Sequence, residues 1–340
     1  MATSIQAPFA APVVDNLSIR VVVDSRYENI LPKEIHPFVT IEHVGDIPGK
    51  LIYTLAAEWG LSLHLVSEAD GARSQYLLDF GWTPEVINRN LDLLDIDPTK
   101  LNGLVLSHGH LDHYGGLDGF LHRHRPAMRD DLSLYIGGED AFAVRWAEDE
   151  SAQSEDRSPA SVCWGALSRV SLLAHSVNPV CCTVPSVLDG AFTSGYIARD
   201  SFENTTSHTL IGSPDHFSDE ERQGKLITDN HPEEHALCYI VRGRGLVVIS
   251  SCGHIGIVNS VTAAMAITGV EKLHAVVGGF HLAASKQDYI DHTVDALAEL
   301  SPDVVLPMHC TGRDFIETMR RRMPEQLVGA NLGSRYTFGV

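Results

Sequence analysis

The sequence of 340 residues is short of positive charge. Its 25 Lys and Arg residues stand against 44 Asp and Glu residues, which gives a formal net charge of −19 at pH 7. Surfaces that bind nucleic acid or anionic membranes need clustered basic side chains. We therefore expect neither nucleic acid nor a membrane as a partner, and bound cations would offset part of the negative charge.

Long apolar runs and a cysteine framework are also missing. No stretch is long and apolar enough to span a bilayer, and Met1–Pro12 lacks the basic residues of a secretory signal, so residues 1–16 are expected to form a flexible tail. The irregularly spaced cysteines favour reduced thiols in a cytoplasmic protein, with Cys181 and Cys182 as a buried pair. The cysteines are Cys163, Cys181, Cys182, Cys238, Cys252 and Cys310.

What the sequence does contain is a dense group of metal-ligating side chains. The segment Leu101–Leu106, which ends in the apolar run Leu104–Leu106, predicts a strand, and it is followed by His108-Gly109-His110-Leu111-Asp112-His113. Three imidazoles and one carboxylate within six residues can converge on one point from the loop after a strand. This donor set suits zinc, with iron or manganese as alternatives.

Three later strands each end just before a histidine. Gly245–Ser250, Leu273–Val277 and Val304–Pro307 precede His254, His281 and His309 respectively, and a helix is predicted after each. Carboxyl ends of neighbouring strands meet at one edge of an α/β sheet, where such folds place their active sites. We therefore expect the late histidines to lie beside the first cluster.

The pattern predicts one α/β domain over residues 17–340. A strand at Leu17–Asp24, a hairpin that ends at Asp79 and a helix at Pro84–Leu94 precede the metal cluster. Residues 130–235 look irregular apart from short strands, including one predicted at Val170–Leu173. Long loops of this kind usually bind ligands, so we expect this insertion to set substrate choice, with surface decoration as the alternative.

The ligand types indicate hydrolytic chemistry. His108 and His110 with one late histidine would form a three-nitrogen site with a fourth position open to water. Asp112 and His113 with another late histidine would hold a second ion, and Asp112 could also receive the proton of the attacking water. We expect Asp79 to lie behind the ligands and to fix the tautomer of a ligating imidazole.

These residues resemble the metallo-β-lactamase superfamily, whose HxHxDH signature is similar to His108–His113. The segments Ser251–Asn259, Gly278–Leu282 and His309–Gly312 are similar to one branch, that of dihydropterin-ribofuranosylaminobenzene-phosphate synthase. The resemblance implies a four-layer αββα sandwich. The bridging aspartate common in the superfamily has no counterpart, because Gly278–His281 occupies its place. The implied ligands are His108, His110 and His254 for the first metal, and Asp112, His113 and His309 for the second.

The favoured function is a zinc-dependent hydrolase that opens a small lactam or lactone by attack of metal-bound hydroxide, with benzoxazolinone-like lactams as a specific case. Asp112 and His281 are the candidate catalytic residues, and His281 is interpreted as a substrate contact rather than a ligand. The alternatives are a pterin-related phosphate enzyme that uses Arg313 with Arg242 or Arg244, a phosphodiesterase, and a non-catalytic metal-binding protein. The expected partner is a small molecule, and a homodimer is left open.

Overall fold

The computed structural model describes residues 9–50, 54–153, 159–204, 209–212 and 226–339. Within these ranges the chain forms nineteen strands: β1 Val13–Val14, β2 Asn16–Val23, β3 Thr40–Glu42, β4 Ser62–Ala69, β5 Ala72–Leu78, β6 Gly103–Leu106, β7 Ser133–Ile136, β8 Arg145–Gln153, β9 Pro159–Gly165, β10 Asn178–Cys181, β11 Ser186–Leu188, β12 Ala191–Thr193, β13 Thr209–Ile211, β14 Ile227–Thr228, β15 Leu237–Val241, β16 Gly245–Ser250, β17 Leu273–Gly278, β18 Val304–Pro307 and β19 Arg335–Gly339. The helices of the same ranges are α1 Pro84–Leu93, α2 Leu111–Tyr114, α3 Leu117–His124, α4 Arg169–Ala174, α5 Ile257–Thr268, α6 Gln287–Leu300 and α7 Arg313–Arg322.

Most strands belong to two large sheets. One has eight strands in the order β10-β7-β6-β5-β4-β2-β19-β3, and the other has seven, β11-β12-β15-β16-β17-β18 with β1 beside β15. The predicted hairpin is confirmed: β4 and β5 pair antiparallel, with Leu63 opposite Leu78. The later hairpin of β15 and β16 is also antiparallel, with Leu237 opposite Ile249.

The two sheets pack face to face. Their inner faces share one apolar cluster, to which Ile19 and Leu63 contribute from one sheet and Ile249 and Leu306 from the other. The outer face of the seven-stranded sheet is covered by α5, α6 and α7, and the outer face of the eight-stranded sheet by α1 and α3. Layers of this kind let each element bury its apolar face. The predicted four-layer αββα sandwich is confirmed.

The helices begin and end where local chemistry dictates. Pro84 stands at the first position of α1, where its missing N–H costs no hydrogen bond. Gly269 ends α5 with a φ of 68°, and its N–H bonds to the carbonyl of Met265. Of the described helices, none combines the length and apolarity required to cross a membrane.

The topology brings the ends of distant strands together. Ser250 of β16 is opposite Gly278 of β17, which is in turn opposite Pro307 of β18, and both pairings are parallel. The segments that follow these three strands therefore leave the seven-stranded sheet at one edge. In the other sheet, β6 lies parallel between β5 and β7 and ends at Leu106, just before the HxHxDH segment.

The description of residues 130–235 as irregular is wrong. The region supplies β7 and β10 to one large sheet, β11 and β12 to the other, and β8, β9 and β13 with β14 to a separate four-stranded sheet. These strands are mostly three to seven residues long and have weak apolar alternation. Their partners lie elsewhere in the chain, so local pattern does not reveal them.

Three smaller predictions also need correction. The predicted strand Val170–Leu173 is part of α4, whose N-cap Ser168 accepts a hydrogen bond from the N–H of Ser171; a short apolar run fits either state. Val13–Val14 pairs with β15, so the flexible-tail interpretation fails there, and residues 1–8 lie outside the described ranges. All six cysteines are free, but the prediction that Cys181 and Cys182 are both buried is wrong, because Cys181 is exposed while Cys182 is buried.

Candidate metal centre

The three histidines predicted for the first metal lie together. The ring centroids of His108 and His110 are 4.6 Å apart, and that of His254 lies 4.9 Å from His108 and 4.7 Å from His110. All three side chains are buried. The loop after β6 supplies the first two histidines and the loop after β16 supplies the third, so the two sheets meet at this point.

The second predicted triad lies beside the first. Asp112 Oδ2 is 3.7 Å from His113 Nε2 and 3.4 Å from His309 Nε2. The ring of His113 also packs against that of His108, with ring centroids 4.3 Å apart. Asp112 and His113 belong to α2, and His309 follows β18 in a single 3₁₀ turn. The chain therefore builds two adjacent three-ligand clusters.

Asp79 lies behind the second cluster, at the position expected for it. Its Oδ2 is 2.6 Å from His113 Nδ1, and its two oxygens accept hydrogen bonds from the N–H and the hydroxyl of Ser107. The hydroxyl of Ser251 also donates to Asp79. A carboxylate on Nδ1 directs Nε2 toward the cluster, which is how proteins orient ligating histidines.

The protonation of these imidazoles follows from burial and neighbouring charge. Burial and the nearby His113 and His110 rings hold the pKa of His108 well below its usual range. The neutral imidazole of His108 is therefore favoured, and this is the form that binds a metal ion. Burial alone would lower the pKa of His113, but the Asp112 and Asp79 carboxylates outweigh it and raise the pKa to about 9. Metal binding at His113 must therefore displace a proton.

Backbone strain concentrates at this edge. Asp79, His231, His281 and His309 all have φ values between 49° and 59°. Non-glycine residues in this region cost energy and persist only where the surroundings hold them. For His309, Asp24 Oδ1 accepts a hydrogen bond from its N–H at 3.1 Å.

His231 is a site residue that the sequence analysis missed. Its ring stacks on that of His254 at a centroid distance of 3.9 Å and lies 4.7 Å from the ring of His110. The side chain is 1% exposed, and neither ring nitrogen has a hydrogen-bond partner among the described residues. A signal was present, because Asp229–His235 holds three acids and two histidines in seven residues.

A buried charge cluster supports the loop that carries His108 and His110. Arg145 Nε donates to Asp229 Oδ2 at 2.6 Å, Nη2 donates to Glu233, and Nη1 donates to the carbonyl of Gly109 at 3.1 Å. A Cβ at Gly109 would lie 2.2 Å from Arg145 Nη1, so only glycine permits this approach. Asp229 Oδ2 is also 3.7 Å from His110 Nε2.

The charges of this cluster are unequal. Burial would raise the pKa of Asp229, but Arg145 and His231 outweigh it and hold the pKa well below its usual range. Burial raises the pKa of Glu233 to about 7, because Arg145 offsets only part of the desolvation cost. Of the two acids, Asp229 therefore favours the charged form more strongly, and this carboxylate lies beside His110 and His231.

Glu234 supports the other ligand loop. Its Oε1 accepts hydrogen bonds from the N–H groups of Gly253 and His254, and its Oε2 accepts one from Ile255 at 2.6 Å. Arg199 donates to the carbonyl of His254 at 3.0 Å. Residues 130–235 therefore stabilise the loops of both sheets that carry the predicted ligands. This role depends on contacts between residues that are far apart in the sequence.

A cavity of about 760 Å³ opens beside the clusters. His281 and Cys310 are among the residues that line it, and the ring of His281 is 4.1 Å from that of His254. Trp59 and Tyr289 line its walls, and the Trp59 ring is 5.1 Å from that of His309. The volume is that of a small-molecule pocket.

Two of the cations suggested for a phosphate lie away from this cavity. Arg242 bonds to Asp15 at 2.7 Å in the turn before β16, and Arg244 belongs to the same turn. The predicted metal ligand His254 follows the other end of β16, which is roughly 20 Å long at about 3.3 Å per residue. The cation that lines the cavity is Lys286, which the sequence analysis did not single out.

The residues present fit bound metal ions. His108 Nε2 and His113 Nε2 are buried without a hydrogen-bond partner among the described residues. Buried polar atoms are normally satisfied, and a group of orphaned imidazole nitrogens beside a carboxylate is the donor set of a metal site. Among the described residues, four groups have ligand atoms within 4.8 Å of one another, and each mixes members of the predicted triads with other residues or consists of other residues: His108, Cys252 and His254; His110, His231 and His254; His113, Cys252 and His309; and Cys252, His281 and Cys310.

The family model that matches the chain is described as the metallo-β-lactamase superfamily and covers residues 68–129, from the end of β4 to just past α3. The matched residues include the whole His108–His113 motif. Over these residues the chain is similar to the metallo-β-lactamase superfamily. The predicted resemblance is confirmed at this level.

Relatives extend the likeness beyond the matched segment. The chain is 29% identical over 286 residues to 7,8-dihydropterin-6-methyl-4-(β-D-ribofuranosyl)-aminobenzene-5′-phosphate synthase of Methanocaldococcus jannaschii, covering 79% of this chain and 90% of the relative. It is 25% identical over 240 residues to an uncharacterized protein of that organism, covering 69% and 78%. The crystal structure of Tm1679, titled a metal-dependent hydrolase of the β-lactamase superfamily, has a TM-score of 0.67 at 22% identity, covering 94% and 98%. This last likeness supports the metallo-β-lactamase fold.

Proposed function

We propose that this metallo-β-lactamase superfamily protein is a metal-dependent hydrolase, with zinc as the favoured ion, and that it opens a small cyclic amide or ester. The observation that carries the proposal is the pair of buried ligand clusters beside an open cavity. Two ions held there would supply an activated water near neutral pH and Lewis-acid polarisation of the substrate carbonyl. The proposed ligands are the two triads of His108, His110, His254 and of Asp112, His113, His309.

The chain's own residues would perform the remaining tasks. Asp112, whose side chain is 9% exposed, is placed to orient the attacking water and to accept its proton. His281 lies between the cavity and His254, so it can donate a hydrogen bond to the carbonyl oxygen as negative charge develops there. Burial lowers the pKa of His281, but its contact with Cys310 and the negative charge of Glu234 raise it more, which favours the donating form.

The cavity walls favour a ring-shaped, partly apolar substrate. Trp59 and Tyr289 present aromatic faces, and Trp164 lies with its ring centroid 5.7 Å from that of His110 on the side of the first cluster. Flat apolar groups pack well against such side chains. A lactam or lactone fused to an aromatic ring, of the benzoxazolinone type, is the specific substrate class that we propose.

A phosphate-handling enzyme is the second candidate, because one curated relative is named as a phosphate synthase. Lys286 would be the phosphate contact in the cavity. The nearby Asp288 offsets its charge, and an Arg fork, the usual partner of a phosphate, does not line the described part of the cavity. These features favour the cyclic amide or ester over the phosphate.

Turnover of a substrate panel tests the proposal. The panel contains benzoxazolinone-type lactams, simple lactams, lactones, and phosphate mono- and diesters, each measured with and without chelator. We expect cleavage of a lactam or lactone that chelator abolishes and added zinc restores. Cleavage confined to phosphate esters would favour the second candidate, and turnover that chelator leaves unchanged would overturn both.

The variant His281→Ala tests the oxyanion role. Metal content should stay at the wild-type value, whereas kcat/KM should fall about 10²- to 10³-fold, the usual loss when one oxyanion donor is removed. His122→Ala, at an exposed histidine of α3, is the matched control and should change neither quantity. Loss of one ion in His281→Ala would make His281 a ligand instead.

A further inference from the structure

Cys252 lies between the two ligand clusters. It follows β16 and is 3% exposed. On its N-terminal side, Ser251 donates to Asp79, the carboxylate that orients His113 of the second cluster. On its C-terminal side, two residues along, His254 belongs to the first cluster. The thiol is thus held where the backbone passes from one cluster to the other.

The distances place its sulfur within reach of both clusters. Among the described residues, Cys252 Sγ and the ligand nitrogens of His108 and His254 lie within 4.8 Å of one another. The same limit holds for Cys252 Sγ with His113 and His309. Donor atoms of one ion are separated by about 3–4 Å when each is 2.0–2.3 Å from it, so a limit of 4.8 Å requires at most a small approach of these side chains on metal binding.

We propose that the thiolate of Cys252 bridges the two metal ions. The inference rests on the proposed metal centre. It gives Cys252 the bridging role for which the sequence has no aspartate. Paired ions in such sites are about 3.5–4 Å apart, a separation that one sulfur at about 2.3 Å from each ion can span. The Cys252 sulfur lies within 4.8 Å of two members of each triad, and a thiolate is a strong zinc donor. On metal uptake the thiol proton leaves for solvent, and no oxidation or reduction takes place.

The surroundings of Cys252 suit a ligating sulfur. Cys310 Sγ lies 3.2 Å from Cys252 Sγ, and His281 Nδ1 lies 3.6 Å from it. The His281 imidazole can donate to a thiolate at Cys252, as partners of metal ligands commonly do. A Cβ at Gly279 would lie 2.9 Å from Cys310 Sγ and 3.2 Å from Cys252 Cα, so a side chain at Gly279 would push the two cysteines out of place.

X-ray absorption at the zinc edge counts the sulfur neighbours without any substitution. The full chain is loaded with two zinc ions and kept reduced with a phosphine. We expect an average of one sulfur per zinc at about 2.3 Å, because a bridging thiolate is counted by both ions. Half a sulfur per zinc would mean a terminal ligand, and no sulfur would mean a thiol outside both coordination spheres. Either result overturns the bridge.

Cobalt loading assigns the sulfur to a residue. Wild type and Cys310→Ser should show the near-ultraviolet thiolate-to-cobalt charge-transfer band, and Cys252→Ser should lose it. Cys310→Ser is the matched control, because it removes the neighbouring buried thiol. A band that survives in Cys252→Ser, or that disappears only in Cys310→Ser, contradicts the assignment. Circular dichroism verifies the fold of each variant, and the zinc-edge result on wild type stands if Cys252→Ser does not fold.

The outcomes separate this inference from the proposed function. Two bound ions, substrate turnover and no sulfur neighbour would overturn the bridge and leave the hydrolase. One sulfur per zinc without turnover of any panel compound would support the bridge and overturn the hydrolase. A chain that binds no ion overturns both.

Discussion

Replacing Arg145 by methionine should lower the free energy of unfolding by about 3–5 kcal/mol, the usual cost of breaking a buried ion pair from one side. Arg145 is 1% exposed, and the side chains of its two partners, Asp229 and Glu233, are fully buried. Methionine fills much of the volume but leaves two carboxylates without their cation. Urea unfolding of the metal-free chain measures the loss.

The surface supplies a matched control for that substitution. Arg123 pairs with Asp92 at 2.8 Å, and their side chains are 48% and 53% exposed. Arg123→Met should therefore cost less than about 1 kcal/mol. Arg145→Lys should fall between the two, because it keeps the charge but cannot make all the contacts to Asp229, Glu233 and Gly109 together. A loss in Arg145→Met no larger than in Arg123→Met would show that the buried cluster does not support the ligand loop.

Asp112→Asn should reduce the metal content from two ions per chain to one and lower kcat/KM by about 10²-fold or more. Asparagine keeps the shape of the side chain but removes the anionic oxygen that faces His113 and His309. It also removes the proposed proton acceptor, and such groups typically contribute about 10²–10⁴ in rate. Elemental analysis of the purified variant, with turnover of the best panel substrate, measures both effects.

Asp92→Asn is the control for this second substitution, since it makes the same chemical change at an exposed carboxylate of α1. It should keep two ions and wild-type turnover. Asp112→Asn with two ions but reduced kcat/KM would restrict Asp112 to proton transfer. Retention of both ions and full activity would remove Asp112 from the centre altogether.

Local pattern was sufficient for much of the fold. The strands Gly245–Ser250 and Val304–Pro307 have the bounds that the sequence predicts, and the helices Ile257–Thr268 and Gln287–Leu300 follow late strands as expected. Their apolar spacing is strong, and glycine or proline lies near several of their ends. The prediction failed for α4 and for the short strands of residues 130–235, because a run of three or four residues carries too little periodic signal.

The sequence by itself determined the fold class and the residues that meet at the candidate centre. Metal ligation needs a few residue types at fixed short spacings, and strand ends in an α/β sheet share an edge, so His108–His113 and the three late histidines could be read directly. Only the tertiary structure shows which residues support the loops at that edge and which further side chains lie at the candidate centre. Arg145 meets its partners 84 and 88 residues away, His231 stacks on a ring from another element, and Cys252 lies between two clusters. Such contacts depend on how the sheets pack, and no local spacing encodes them.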